Sequence, residues 1–167
     1  MNRGGFLTRK CLLEPVVQAC RELGATVSAE YPVRLGQTRG FVDLRVDFGP
    51  CRVAIEAELG PKRLENDLHK AMALPAYLLL VVVPNWQSCG TARKAMARIL
   101  EQRRMNGLLA DVEPATLILP VGPAIQQLRQ INDFVTRSLH DLSQNHKIIP
   151  ARLKQALSGP RNERSKS

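Results

Sequence analysis

The 167 residues carry 24 Lys and Arg against 15 Asp and Glu, a net charge of +9, with only 4% aromatic residues. That length is enough for one domain with a real core, and the charge favours a polyanionic partner. Scarce aromatics argue against an aromatic stacking platform as the main binding mode, and the longest apolar run, Ala76 to Val83, is far short of a membrane span.

Residues 1–10 are basic and contain glycine, and read as a flexible N-terminus. From Cys11, the residues Leu12, Leu13, Val16, Val17, Cys20 and Leu23 recur at helical spacing. Pro15 is expected in the first turn, so a helix is predicted to start near Leu12 to Glu14 and to stop at Gly24. Thr26 to Leu35 alternates as a half-buried strand, on an edge or bulged because of Pro32. Gly36 to Gly40 reads as a turn.

Two strands follow, Phe41 to Phe48 and Arg52 to Leu59, joined at Gly49-Pro50. A helix with Pro61 at its first position is predicted to about Leu74. Tyr77 to Val83 reads as a central strand covered on both faces. A helix from about Cys89 to Arg104, a short strand Thr116 to Val121 and a helix Ala124 to Leu142 complete the pattern. The expected organisation is a single domain over 11–146 and a basic, disordered tail over 147–167. The order is α-β-β-β-α-β-α-β-α, an α/β class with a mixed sheet.

The spacing of Cys11, Cys20, Cys51 and Cys89 matches no zinc site. It reads as reduced, mostly buried thiols in a cytosolic protein. No N-terminal apolar segment resembles a signal peptide, and the expected location is the cytoplasm, without a membrane association.

The paired strands carry the chemistry. In the first, Phe41, Asp43, Arg45 and Asp47 share a face; in the second, Arg52, Ala54, Glu56 and Glu58 share one. A two-residue turn at Gly49-Pro50 pairs Phe48 with Cys51 and sets Asp43 opposite Glu56. Carboxylates so placed repel unless they share a cation or a proton. Hard oxygen ligands suit Mg²⁺ or Mn²⁺, and such a metal suits phosphodiester hydrolysis. On the helix from Pro61, Arg63, Asn66, Asp67 and Lys70 fall on one stripe from which Lys70 can reach towards the acids.

These residues resemble the PD-(D/E)XK nuclease superfamily, whose motif is an Asp on one strand and (D/E)-x-K on the next within an αβββαβ core. Asp43 matches the Asp and Glu56 the (D/E), over roughly residues 12–84. Glu58 stands where the motif has Lys; in some members the Lys has migrated to the following helix. The resemblance implies a restriction-endonuclease-like αβββαβ core with extra C-terminal αβα elements. It also implies a Mg²⁺- or Mn²⁺-dependent nuclease acting on DNA. Asp43, Glu56 and Glu58 would ligate metal. Glu58 would complete that shell or act as base, and Lys70 would stabilise the phosphate or position water. Glu14 and Asn66 are accessory candidates. Arg39, Arg63, Arg93 and Lys94 are candidate nucleic-acid contacts, and homodimers are common in the superfamily. The alternative is a catalytically degenerate module of the same fold that binds nucleic acid or a protein partner without cleavage.

Overall fold

A computed structural model of the chain describes residues 3–108 and 113–157, with side chains described from Arg9 to Leu142 outside the gap. The elements are α1 (Arg3–Glu22), β1 (Thr26–Leu35), β2 (Thr38–Phe48), β3 (Cys51–Ala57), a 3₁₀ turn (Pro61–Arg63), α2 (Leu64–Ala73), β4 (Leu78–Val83), α3 (Trp86–Met105), β5 (Ala115–Pro120) and α4 (Val121–Leu157). Two compact units divide the chain, residues 1–132 and residues 133–167, and the boundary falls within the expected 11–146 domain. The first holds the sheet; the second comprises the later part of α4 and the residues after it.

The α/β class and the mixed sheet hold. Five strands lie in the order β1-β2-β3-β4-β5. β1/β2 and β2/β3 are antiparallel; β3/β4 and β4/β5 are parallel. Every residue of β4 is buried, as its unbroken Leu/Val run requires of a central strand with helices on both faces. One face of β3, β4 and β5, carrying Ala54, Leu79, Val81, Val83 and Ile118, forms a core with Leu64, Leu68 and Ala71 of α2 and Cys89, Ala92 and Met96 of α3. α1 packs against β1, β3 and β4 and buries Val16, Ala19 and Cys20. α3 is capped by Asn85, whose side chain accepts the Ser88 N–H at 2.9 Å.

Three boundaries differ markedly from expectation. α1 begins at Arg3 rather than near Leu12, so residues 3–10 are helical and Pro15 lies inside the helix. Pro15 removes the donor to the Cys11 carbonyl, but Cys11 and Pro15 are both exposed, so water can satisfy that group. The turn at Gly36 to Gly40 shrinks to two residues, with Gly36 at φ +61°, and β2 starts at Thr38. Gly40 thus lies in a strand, where a Cβ would meet Leu35 Cδ1 at 2.9 Å and Lys70 Cγ at 3.5 Å. The last helix runs to Leu157 rather than Leu142, so residues 147–157 of the expected disordered tail are helical; residues 158–167 lie outside the described residues.

The predicted hairpin register is observed from the turn as far as Leu44↔Ile55, with Phe48 paired to Cys51 and Arg45 to Ala54; the predicted pairs Asp43–Glu56 and Phe41–Glu58 lie beyond the end of the ladder. Gly49 has φ +56°, which a two-residue hairpin turn needs at its first central position. Leu68 is wholly buried at the centre of the α2 contact with the sheet. Leu68→Ala is expected to lower stability by about 2–5 kcal/mol, measured by urea unfolding.

Candidate active site

The β2/β3 ladder stops at Leu44↔Ile55, one pair short of Asp43 and Glu56. At that point the Ala57 N–H donates to Asp43 Oδ2 at 2.9 Å, so a carboxylate takes the place of a backbone acceptor and β2 departs from β3. β1 is irregular at the same level. Between the pairs Ala29↔Leu44 and Tyr31↔Val42, Glu30 has φ +46°.

Glu56 points to the face of β3 that α2 covers, and is fully buried. Covering it from α2 are Asp67 and Lys70, 0% and 1% exposed. Lys70 Nζ lies 2.6 Å from Glu56 Oε1 and 2.8 Å from Asp67 Oδ1. Neither contact has hydrogen-bond angles, so the pairing is electrostatic. Glu56 Oε2 and Asp67 Oδ2 are also buried without a hydrogen-bond partner among the described residues. Glu58, 3% exposed, follows β3 and is held by its N–H to the Val82 carbonyl at 2.9 Å. Arg63 Nε lies 3.7 Å and Arg9 Nη2 4.0 Å from its carboxylate.

This is a cluster with more acids than bases, and its titration reflects that. Burial, then the charges of Asp67 and Asp43, push Glu56 up to about 9, against the opposing pull of Lys70. Burial and Asp67 push Glu58 up to about 7, opposed by Arg63 and Arg9. Asp67 is raised by burial as well. Burial works to lower Lys70, but Glu56 and Asp67 outweigh it and raise it, so the ammonium keeps its charge. At neutral pH the buried carboxyls therefore share at least one proton.

Of the residues singled out from sequence, Asp43, Glu56, Glu58 and Lys70 come together, with Arg63 at the edge of the group. The sequence places the acids of β3 on an open face; they are buried because α2 lies over them. Asn66 and Glu14 do not join. Both are exposed, and neither has an ion pair or hydrogen bond to the cluster among the described residues. Arg39 and Lys94 are exposed, and Arg93 donates to the Ile118 carbonyl at 3.2 Å and lies over the Trp86 ring. Asp67 and Arg9 belong to the group without having been assigned to it from sequence. Asp67 carries a usable signal, being three residues before Lys70 on the same helical stripe. Asp47 stands apart, paired with Arg45 at 2.6 Å and Arg52 at 2.9 Å.

No family model, curated protein or solved structure matches the chain. The donors of the cluster are all hard oxygens, the kind that Mg²⁺ and Mn²⁺ take, and several are free of hydrogen bonds. Among the described residues, however, no group of three or more His, Cys, Asp or Glu side chains is arranged to hold a metal ion, and the balancing charge comes from Lys70. The fit is one of donor chemistry; the carboxylates have to close in for an ion to be held.

The raised carboxyls bind protons more tightly folded than unfolded, where Glu titrates near 4.5. Their contribution to stability is therefore complete below about pH 4 and is lost as pH rises through 7 and then 9. Thermal unfolding is expected to show the melting temperature falling from pH 5 to pH 9, and Glu56→Gln should flatten that fall. Lys70→Met leaves buried carboxylates without a cation. It is expected to cost about 3–5 kcal/mol at pH 8 and much less at pH 5, where the acids can take up protons, in denaturant titrations at both pH values.

Proposed function

We propose that the chain is a metal-dependent nuclease that hydrolyses DNA phosphodiester bonds at Asp43, Glu56, Glu58 and Lys70, on a restriction-endonuclease-like core. The observation that carries this reading is the 2.6 Å approach of the Lys70 ammonium to Glu56. The strand motif lacks its lysine because Glu58 stands in that slot, and a lysine from the next helix reaches the same carboxylate. The element order through β4 and the mixed sheet support the fold part of the reading.

In this reading Asp43, Glu56 and Glu58 would hold Mg²⁺ or Mn²⁺. Bound there, such an ion would supply Lewis-acid activation of water and charge stabilisation at the scissile phosphate. Glu58 completes the ion's shell or, unligated, accepts the proton of the attacking water as the water oxygen bonds to phosphorus. Lys70 stays protonated and offsets negative charge as the opposite P–O bond breaks. Asp67 is a positioning residue: it shares Lys70 with Glu56 and holds the ammonium when Glu56 turns to another cation.

The alternative is a binding module of the same fold that does not cleave. The absence of a preformed metal group among the described residues favours it, as does the neutralisation of Glu56 and Asp67 by Lys70.

Glu56→Ala is expected to abolish Mg²⁺-dependent cleavage of plasmid or oligonucleotide DNA while DNA binding persists; full activity in that variant would falsify the nuclease assignment. Asp67→Asn is expected to reduce cleavage by roughly 10- to 100-fold. Metal binding has to displace protons from Glu56 and Glu58, so Mn²⁺ should raise the melting temperature more at pH 8.5 than at pH 6. No stabilisation at either pH, with DNA binding retained, favours the module that does not cleave.

A further inference from the structure

We propose that the exposed face of the β1–β2 ribbon binds single-stranded nucleic acid, with Arg34 and Arg39 holding a backbone phosphate and Phe41 stacking on a base. The proposal deepens the nuclease reading, and rests on it for the partner being a nucleic acid.

Residues paired across an antiparallel ladder point to the same side. Arg34 pairs with Arg39 and Pro32 with Phe41. All four are exposed, Phe41 to 51%. The intervening residues face the other way: Val33 is buried and Leu35 packs against the core that contains α2. The ribbon is therefore anchored on one side and presents two arginines and an aromatic ring on the other.

Two guanidinium groups directly opposed on neighbouring strands repel each other. Neither Arg34 nor Arg39 has an ion-pair or hydrogen-bond partner among the described residues, whereas Arg45, Arg52, Arg63, Arg103 and Arg104 are all paired. The repulsion is relieved by an anion between them, and the planar fork of each guanidinium suits phosphate oxygens. One same-face step along the ribbon, about 7 Å, brings the Phe41 ring. A paired cation site beside an exposed ring suits a polymer that alternates phosphate and planar base. It requires a strand whose base faces are open, which a duplex does not offer.

The ribbon also lies close to the buried cluster. A Cβ on Gly40 would sit 3.5 Å from Lys70 Cγ, so the strand bearing Arg39 and Phe41 runs directly over the helix that carries the ammonium. The exposed face is the opposite side of the ribbon from α2, so a strand held there is separated from the cluster by the thickness of the ribbon.

The test is fluorescence anisotropy of the full chain in EDTA, with three labelled probes: a 20-nucleotide oligothymidine, an abasic strand of equal length and a 20-base-pair duplex. Arg34→Ala/Arg39→Ala is expected to weaken oligothymidine binding and to make its salt dependence shallower by about 0.7 for each phosphate no longer neutralised. Phe41→Ala is expected to weaken oligothymidine by roughly 5- to 100-fold and leave the abasic strand within about twofold of wild type. Melting temperatures of both variants should equal or exceed wild type, since the substitutions are exposed and one removes repulsion. Unchanged oligothymidine binding in both variants overturns the proposal, as does an equal loss on duplex and single strand. So does displacement of oligothymidine by poly-glutamate at equal charge concentration. Cleavage decides the other reading separately. Activity that survives Glu56→Ala refutes the nuclease site and leaves these binding results standing, whereas unchanged binding alongside Mg²⁺-dependent cleavage refutes the ribbon alone.

Discussion

A carboxylate with no access to water has to be neutralised, and the burial of Glu56 sets that requirement for everything around it. Removing one ion from water costs several kcal/mol even after the surroundings relax. Lys70 supplies the opposite charge at 2.6 Å, but it is itself buried and brings a second acid, Asp67, from the same helix. A buried triad with two acids and one base is not neutral unless a proton is kept. Glu58 and Asp43 add more negative charge nearby, and Arg63 and Arg9 offset Glu58 only at long range. A core assembled for stability alone is better served by apolar side chains of similar volume. The arrangement makes physical sense as a place kept ready for a change in its charge.

The position of α2 follows from the same requirement. Its apolar residues Leu64, Leu68 and Ala71 dock on the sheet, and the geometry of a helix then carries Asp67 and Lys70 to the sheet side as well. The β2/β3 ladder breaks at Asp43, one pair short of Glu56. The Ala57 N–H would be left unsatisfied there, and the Asp43 carboxylate accepts it. One acid thus serves the backbone while its neighbours serve the ammonium.

Much of this is legible in the sequence, for identifiable reasons. Counting outward from Gly49-Pro50 is enough to find the register, because strand parity leaves few choices once the turn is located. The migrated Lys70 is legible from its stripe on a helix that follows the strand directly. Burial of the acids is not, because alternating strands say which residues share a face and not what covers that face. Gly40 reads as part of a turn since glycine marks turns and close approaches alike; here it is the approach of Leu35 and Lys70 that excludes a side chain. The first helix reads too short because Pro15 looks like a boundary, whereas an exposed carbonyl at Cys11 makes it tolerable inside. Asp67 is easily passed over because a carboxylate three residues from a lysine ordinarily forms a solvated surface pair.

β1 lies at one end of the five-strand order, with its outer backbone groups unpaired by any other strand among the described residues. Such an edge invites a strand from another molecule to extend the sheet. Three features described above work against that. Pro32 has no N–H to offer, Glu30 at φ +46° bends the strand out of line, and Arg34 places a charge where a neighbouring strand would have to settle. β5, at the other end of the order, is only six residues long and closes on Pro120. The irregularity of the first strand therefore also works against edge-to-edge aggregation.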